Sequence, residues 1–102
     1  MPSQAEAEQA LKFLQDTGRK VEQIATQARM KAHMLKHVEG LLTIQSNAPV
    51  TVRKEHARAQ ERWMEAAEED AIAHGQEQML KERRDAAKIA ISLYQSEQRD
   101  RK

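Results

Sequence analysis

The sequence predicts an all-α fold: a long antiparallel helical hairpin of coiled-coil type that self-associates into a four-helix bundle. Three observations predict it. Residues 3–44 and 52–98 are long stretches without a proline. Apolar residues in the first stretch recur with a heptad period. The charges of the two stretches match in opposite sign when the chain folds back on itself. The length suits one domain, 1–102, with a loop at 45–51 and a frayed polar tail at 99–102.

The first helix opens at Ser3, which stands three residues before Glu6. This is capping-box spacing, in which the hydroxyl accepts from an exposed backbone N–H and the carboxylate reaches back. With Ala7 as position a, the a and d sites are Ala7, Ala10, Leu14, Thr17, Val21, Ile24, Ala28, Lys31, Leu35, Val38 and Leu42, nine of the eleven apolar. Leu11, Phe13, Ala25, Ala32, Met34 and Leu41 flank this line and widen the stripe. So broad a stripe suits contact with more than one neighbouring helix. Lys31 interrupts it. Its stem can pack while the ammonium reaches water, or it can set the register of an oligomer. Gly18 and Gly40 each weaken the helix by about 1 kcal/mol relative to Ala, and either can mark a bend or a close helix approach.

Ser46, Asn47 and Pro49 write the turn. Thr51 is the expected N-cap of the second helix. Along that helix Val52, Ala59, Trp63, Ala66, Ala67 and Ala71 lie on one side, followed by Met79, Leu80, Ala86, Ala87, Ala90, Ile91, Leu93 and Tyr94. The phase drifts between these groups, as in a straight helix without a strict seven-residue repeat. Gly75 sits at the drift, where it can end a helix and give a three-helix chain, but the helix formers after it, Gln76 to Leu80, favour continuity. The seam is therefore expected at Leu14, Val21, Ile24, Leu35, Val38, Leu42, Trp63, Leu80, Ile91 and Tyr94. Trp63 is a core anchor between small residues in this reading, or an interface anchor, since Trp is enriched at hot spots.

A reversal near residue 48 tests the pairing. Residues 29–37 hold three cations and no acid; they face 61–70, with five acids and one Arg. Near the open end, 4–16 holds three acids and one Lys; it faces 80–92, with four cations and two acids. Exposed ion pairs contribute only about 0–1 kcal/mol each, so the match informs register and partner choice more than stability. An antiparallel dimer in which the helices are exchanged satisfies it nearly as well.

Composition narrows the function classes. Hydrophobic residues make up 39% of the chain, with one Phe, one Tyr and one Trp, and much of the rest is Ala. At about 25 cal/mol per Å² of apolar surface removed from water, a lone hairpin of this kind is marginal, and a homodimer is the simpler source of stability. The 17 basic and 16 acidic residues nearly cancel, unlike a dedicated nucleic-acid binder. There is no cysteine, so neither disulfides nor thiol chemistry is available. No apolar run approaches the ~18 residues of a membrane span. The amino terminus shows no basic region followed by an apolar stretch, so no secretory leader is expected. The expected location is the cytoplasm, with no membrane partner.

No residue pattern supplies catalysis. His33 and His37 stand four apart but fall at outer positions f and c, without a third ligand at metal spacing. His56 and His74 are isolated, and no Glu-x-x-His, Gly-rich phosphate loop or nucleophile elbow occurs. The acidic run Glu68-Glu69-Asp70 is better read as a solvated, charge-matched face than as a cation site. No catalytic residue, cofactor or metal is expected. The candidates for phosphate or acidic-partner contact are basic: Arg53, Lys54, Arg58 and Arg62 at the start of the second helix, and Lys81, Arg84 and Lys88 further along it. Cations at a helix amino terminus oppose the macrodipole, a local penalty that hints at use. Pairing with Glu55 and Glu61 is the plainer alternative. Arg99, Arg101 and Lys102 add a basic tail, but no aromatic residues interleave to stack on bases.

The segment Ala10-Leu11-Lys12-Phe13-Leu14-Gln15-Asp16-Thr17 resembles the opening of a group of small all-helical proteins of bacteriophages and prophages. So do Thr51-Val52-Arg53-Lys54-Glu55, Lys81-Glu82-Arg83-Arg84 with Ala86-Ala87, and Ile91-Ser92-Leu93-Tyr94-Gln95-Ser96-Glu97-Gln98. The resemblance covers most of the chain through simple helical motifs. Tyr94 stands where that group often has Trp, and Pro49 and Gly75 are further departures. The resemblance implies a phage origin and a role near phage DNA replication or recombination; it assigns no residue a function. The expected function is a non-enzymatic adaptor that binds a phage or host protein through a helical face. The alternative is a nucleic-acid-binding accessory protein that uses the basic faces of the second helix.

Overall fold

A computed structural model describes residues 1–101. Lys102, the last residue of the expected tail, lies outside them. The described residues contain no strand. Helix α1 runs Gln4–Gln45, a 3₁₀ turn spans Val50–Val52, α2 is the short helix Arg53–Arg58, and α3 runs Glu61–Asp100. The chain is therefore all-α, dominated by helices of 42 and 40 residues.

Half of the expected capping box forms. Ser3 Oγ accepts the Glu6 N–H at 3.2 Å, which occupies one orphan donor of the first turn, and the Ser3 carbonyl accepts the Ala7 N–H at 3.0 Å as the first regular bond of the helix. The second helix departs from its expected course at its start. It is not continuous from residue 52: α2 stops at Arg58 and α3 begins at Glu61. Ala59 N–H reaches back to both Glu55 O and His56 O, and Gln60 N–H to Ala57 O at 3.1 Å. Such three-residue bonds tighten the last turn and end the helix without Gly or Pro. Thr51 is not the cap, because it lies inside the 3₁₀ turn; Val52 precedes α2, with no side-chain cap. Gly75, by contrast, lies within unbroken α3.

Two compact units share the long helices. The turn unit is Ile24–Gln76; the terminal unit joins Met1–Gln23 to the chain from Glu77 onward. In the turn unit Lys31 Nζ meets Glu69 Oε2 and Arg58 Nε meets Glu39 Oε1, both at 3.0 Å, so the chain runs antiparallel there. Lys31 is served by Glu69, one helical turn beyond the Glu65 that a reversal at residue 48 would offer. The 3₁₀ turn and α2 add length to the reversal and shift its centre. In the terminal unit Arg84 reaches Leu14 and Thr17, while Ala7 and Leu11 line one pocket with Ile91 and Tyr94, so the chain is again antiparallel.

Every a and d site of α1 from Ala7 to Leu42 is buried or half-buried, as the heptad requires. A strict heptad also governs α3. Trp63, Ala66, Asp70 and Ala73 in the turn unit, and Glu77, Leu80, Arg84, Ala87, Ile91, Tyr94 and Gln98 in the terminal unit, are buried or half-buried at its a and d sites, with half-buried Ala67, Ala90, Ser96 and Glu97 flanking them. The drift read from the apolar residues is corrected by this pattern: polar side chains occupy seam positions and conceal the repeat. The most buried apolar residues are small: Ala7 and Ala87 in the terminal unit, Ala28, Val38, Ala57 and Ala73 in the turn unit. No large side chain among the described residues is fully buried. Gly18 and Gly40 do not mark close helix contacts, since a Cβ on either meets no atom within 4 Å.

Candidate interaction surfaces

Within the turn unit, Ser46 fastens the reversal. Its Oγ accepts the Ala48 N–H at 3.1 Å and lies 3.0 Å from His56 Nδ1, in hydrogen-bond contact. Ser46 is buried, so the pair satisfies polar atoms that would otherwise be stranded. His56 is thus a turn clasp rather than an isolated side chain.

Beside this clasp lies an open groove of about 810 Å³. Arg53, Lys54 and Arg58, three of the basic residues singled out in the sequence, line it, and Lys36 of α1 joins them. Ile44 and Val50 give it apolar lining and are 79% and 77% exposed. Arg53 Nε donates to the Ala48 carbonyl at 2.9 Å, which aims the guanidinium and leaves its terminal nitrogens free of that bond. Arg58 is divided between Glu39 and the Trp63 ring, whose centroid lies 5.8 Å from Cζ. Lys36 and Lys54 have no ion-pair partner among the described residues. Arg62 is exposed and does not line the groove. Lys36 was missed because it belongs to the other long helix; only the reversal brings it to Lys54.

Trp63 is half-buried at its heptad position, and its Nε1 is buried without a hydrogen-bond partner. Asp70 is a seam carboxylate. Its Oδ1 lies 3.1 Å from His74 Nδ1, yet that contact lacks hydrogen-bond geometry; the same ring nitrogen lies 2.9 Å from the Asp70 carbonyl. The backbone contact is the better bond, so the carboxylate is held weakly.

The second basic set separates. Lys81 lies 3.9 Å from Glu77 on its own helix, and Lys88 is exposed. Arg84 does not join them on an outer face. It turns into the terminal unit's seam, where one terminal nitrogen donates to Leu14 O at 2.9 Å and to Thr17 Oγ1 at 2.6 Å. Thr17, 6% exposed, donates in turn to Phe13 O at 2.7 Å. The acid-to-base match expected between 4–16 and 80–92 produces no cross-helix ion pair among the described residues.

A second line marks the far side of α3 in the terminal unit. Met79, Ala86 and Leu93 recur every seven residues, with Ile89 between the last two. At 100° per residue this line falls opposite the seam. Met79, Ile89 and Leu93 are 56%, 59% and 43% exposed. His33 and His37 are exposed, and no group of three or more side chains suited to a metal ion occurs among the described residues. No helix among the described residues is long and apolar enough to cross a membrane. Comparison with protein families, curated proteins and solved structures gave no match.

Proposed function

We propose that the chain is a non-enzymatic interaction module that self-associates as a four-helix homodimer and binds another protein, from phage or host, through a helical face. The observation that supports this most is the outer line of α3. The inner line of that helix already meets α1, yet Met79 and Leu93, two heptads apart, and Ile89, one turn before Leu93, stay open to water. Spaced apolar residues on the outer side of a packed helix suit a second helix. The phage setting, near DNA replication or recombination in the cytoplasm of a host, belongs to the proposal through the resemblance of the helical segments named above.

The nucleic-acid reading has weaker support. Arg84 is withdrawn into the seam, Arg53 and Arg58 are partly engaged within the chain, and the groove they line has apolar lining as well. Light scattering combined with sedimentation tests the module. The wild type is expected to have dimer mass, and Ile89→Asp with Leu93→Asp to have monomer mass with its helical circular dichroism retained. A wild type that stays monomeric at high micromolar concentration sinks the self-association.

A further inference from the structure

The turn unit carries two opposite charge patches that its own fold leaves unneutralised. One is the groove, lined by Lys36, Arg53 and Lys54 together with the apolar Ile44 and Val50; its one acid, Glu39, is paired with Arg58. The other is an exposed face of α3 bearing Glu61, Glu65 and Glu68 around Met64. Spacings of three and four residues put these four side chains on one side of the helix. None of the three carboxylates has an ion-pair partner among the described residues. An acidic face with one apolar side chain at its middle is the chemical complement of a basic groove with apolar lining.

We propose that the groove of one copy receives the Glu61–Met64–Glu65–Glu68 face of a second copy, and that the second copy's groove receives the same face of the first. The contact rests on the self-association proposed above and names the surface that sets its register and partner choice. Each copy brings both patches within one compact unit, and in the proposed dimer a twofold axis relates the two contacts and closes the assembly. Met64 meets Ile44 and Val50, while the carboxylates meet Lys36, Lys54 and the free nitrogens of Arg53. A nucleic-acid phosphate satisfies the cations but leaves the apolar lining uncovered, and this favours a polypeptide occupant. Complementary charge at an interface selects partners and speeds encounter, so the association is salt-dependent.

A charge swap tests it. One variant is Lys36→Glu with Lys54→Glu; the other is Glu65→Lys with Glu68→Lys. These four residues make no ion pair among the described residues, so helical circular dichroism is expected to persist in both. Each variant alone is expected to dimerise at least about tenfold more weakly than the wild type, because like charges then meet. An equimolar mixture of the two is expected to recover a heterodimer, since the reversed groove of one variant then meets the reversed face of the other, and the unreversed groove meets the unreversed face, each with opposite sign. Dimers of wild-type strength in both variants overturn the groove contact and leave self-association standing. A mixture no tighter than its components overturns it too, as does retention of a DNA duplex through Lys36 and Lys54 with no change in mass. A wild type that is monomeric throughout removes the underlying self-association instead.

Discussion

In the turn unit the charged residues of α1 and α2 leave the seam for its edges: Lys31 reaches out to Glu69, and Arg58 to Glu39. In the terminal unit Arg84 stays inside, held by a backbone carbonyl and a threonine hydroxyl. Opposite-sign blocks in the sequence therefore have two different structural outcomes. An edge pair forms in several nearby registers and contributes little. A sheltered guanidinium is satisfied only where Leu14 O and Thr17 Oγ1 converge, so a slide by one turn strands its donors. The turn unit is aligned by its clasp and its edges, and the terminal unit by one polar bond set within the seam.

The largest expected effect breaks the turn unit at its one large anchor. Trp63→Ala is expected to lower stability by about 3 kcal/mol, as for loss of a large aromatic from a packed site. Urea unfolding gives the magnitude, and hydrogen exchange is expected to rise first in 24–76. A loss below about 1 kcal/mol would mean that Trp63 is not a seam anchor.

Next, Arg84→Ala should remove about 1.5–3 kcal/mol, the range for hydrogen bonds from a charged group. The added exchange should be confined to the terminal unit, and Arg84→Lys should recover less than half, because a single ammonium replaces a planar fork. Equal opening of both units would erase the contrast between them.

Smaller and opposite in sign, Gly18→Ala in the terminal unit and Gly40→Ala in the turn unit should each raise stability by about 1 kcal/mol. Neither position crowds an added Cβ. A destabilised variant at either would reveal a contact that the isolated chain lacks, such as a second copy against that face. The smallest effect is Lys31→Ala, expected to be below about 1 kcal/mol and to fade in 1 M salt, where charges are screened beyond about 3 Å. A salt-insensitive loss there would make the edge pair behave like the Arg84 bond.

Much of α1 was legible in the sequence because its seam positions are apolar. Ala7 through Leu42 keep the repeat, and even Thr17 and Lys31 fall where the heptad puts them. On α3 the repeat was equally strict but hidden, since Asp70, Glu77, Arg84 and Gln98 hold seam positions that a search for apolar residues passes over. Arg84 was read with Lys81 and Lys88 for the same reason: helical spacing gives neighbours on one helix, not the direction a long side chain takes. Of the candidate surface, Arg53, Lys54 and Arg58 were visible as a cluster, whereas Lys36 needed the reversal.

By itself, the sequence determined that the described chain is helical, where its first helix starts, and which face of α1 turns inward. Those properties come from local capping and from periodicity, which act over a few residues. Only the tertiary structure decided the break after Arg58, the one-turn shift that gives Lys31 to Glu69, and the burial of Arg84. Each depends on where a distant carbonyl, hydroxyl or carboxylate comes to lie, and that position exists only once two helices have met.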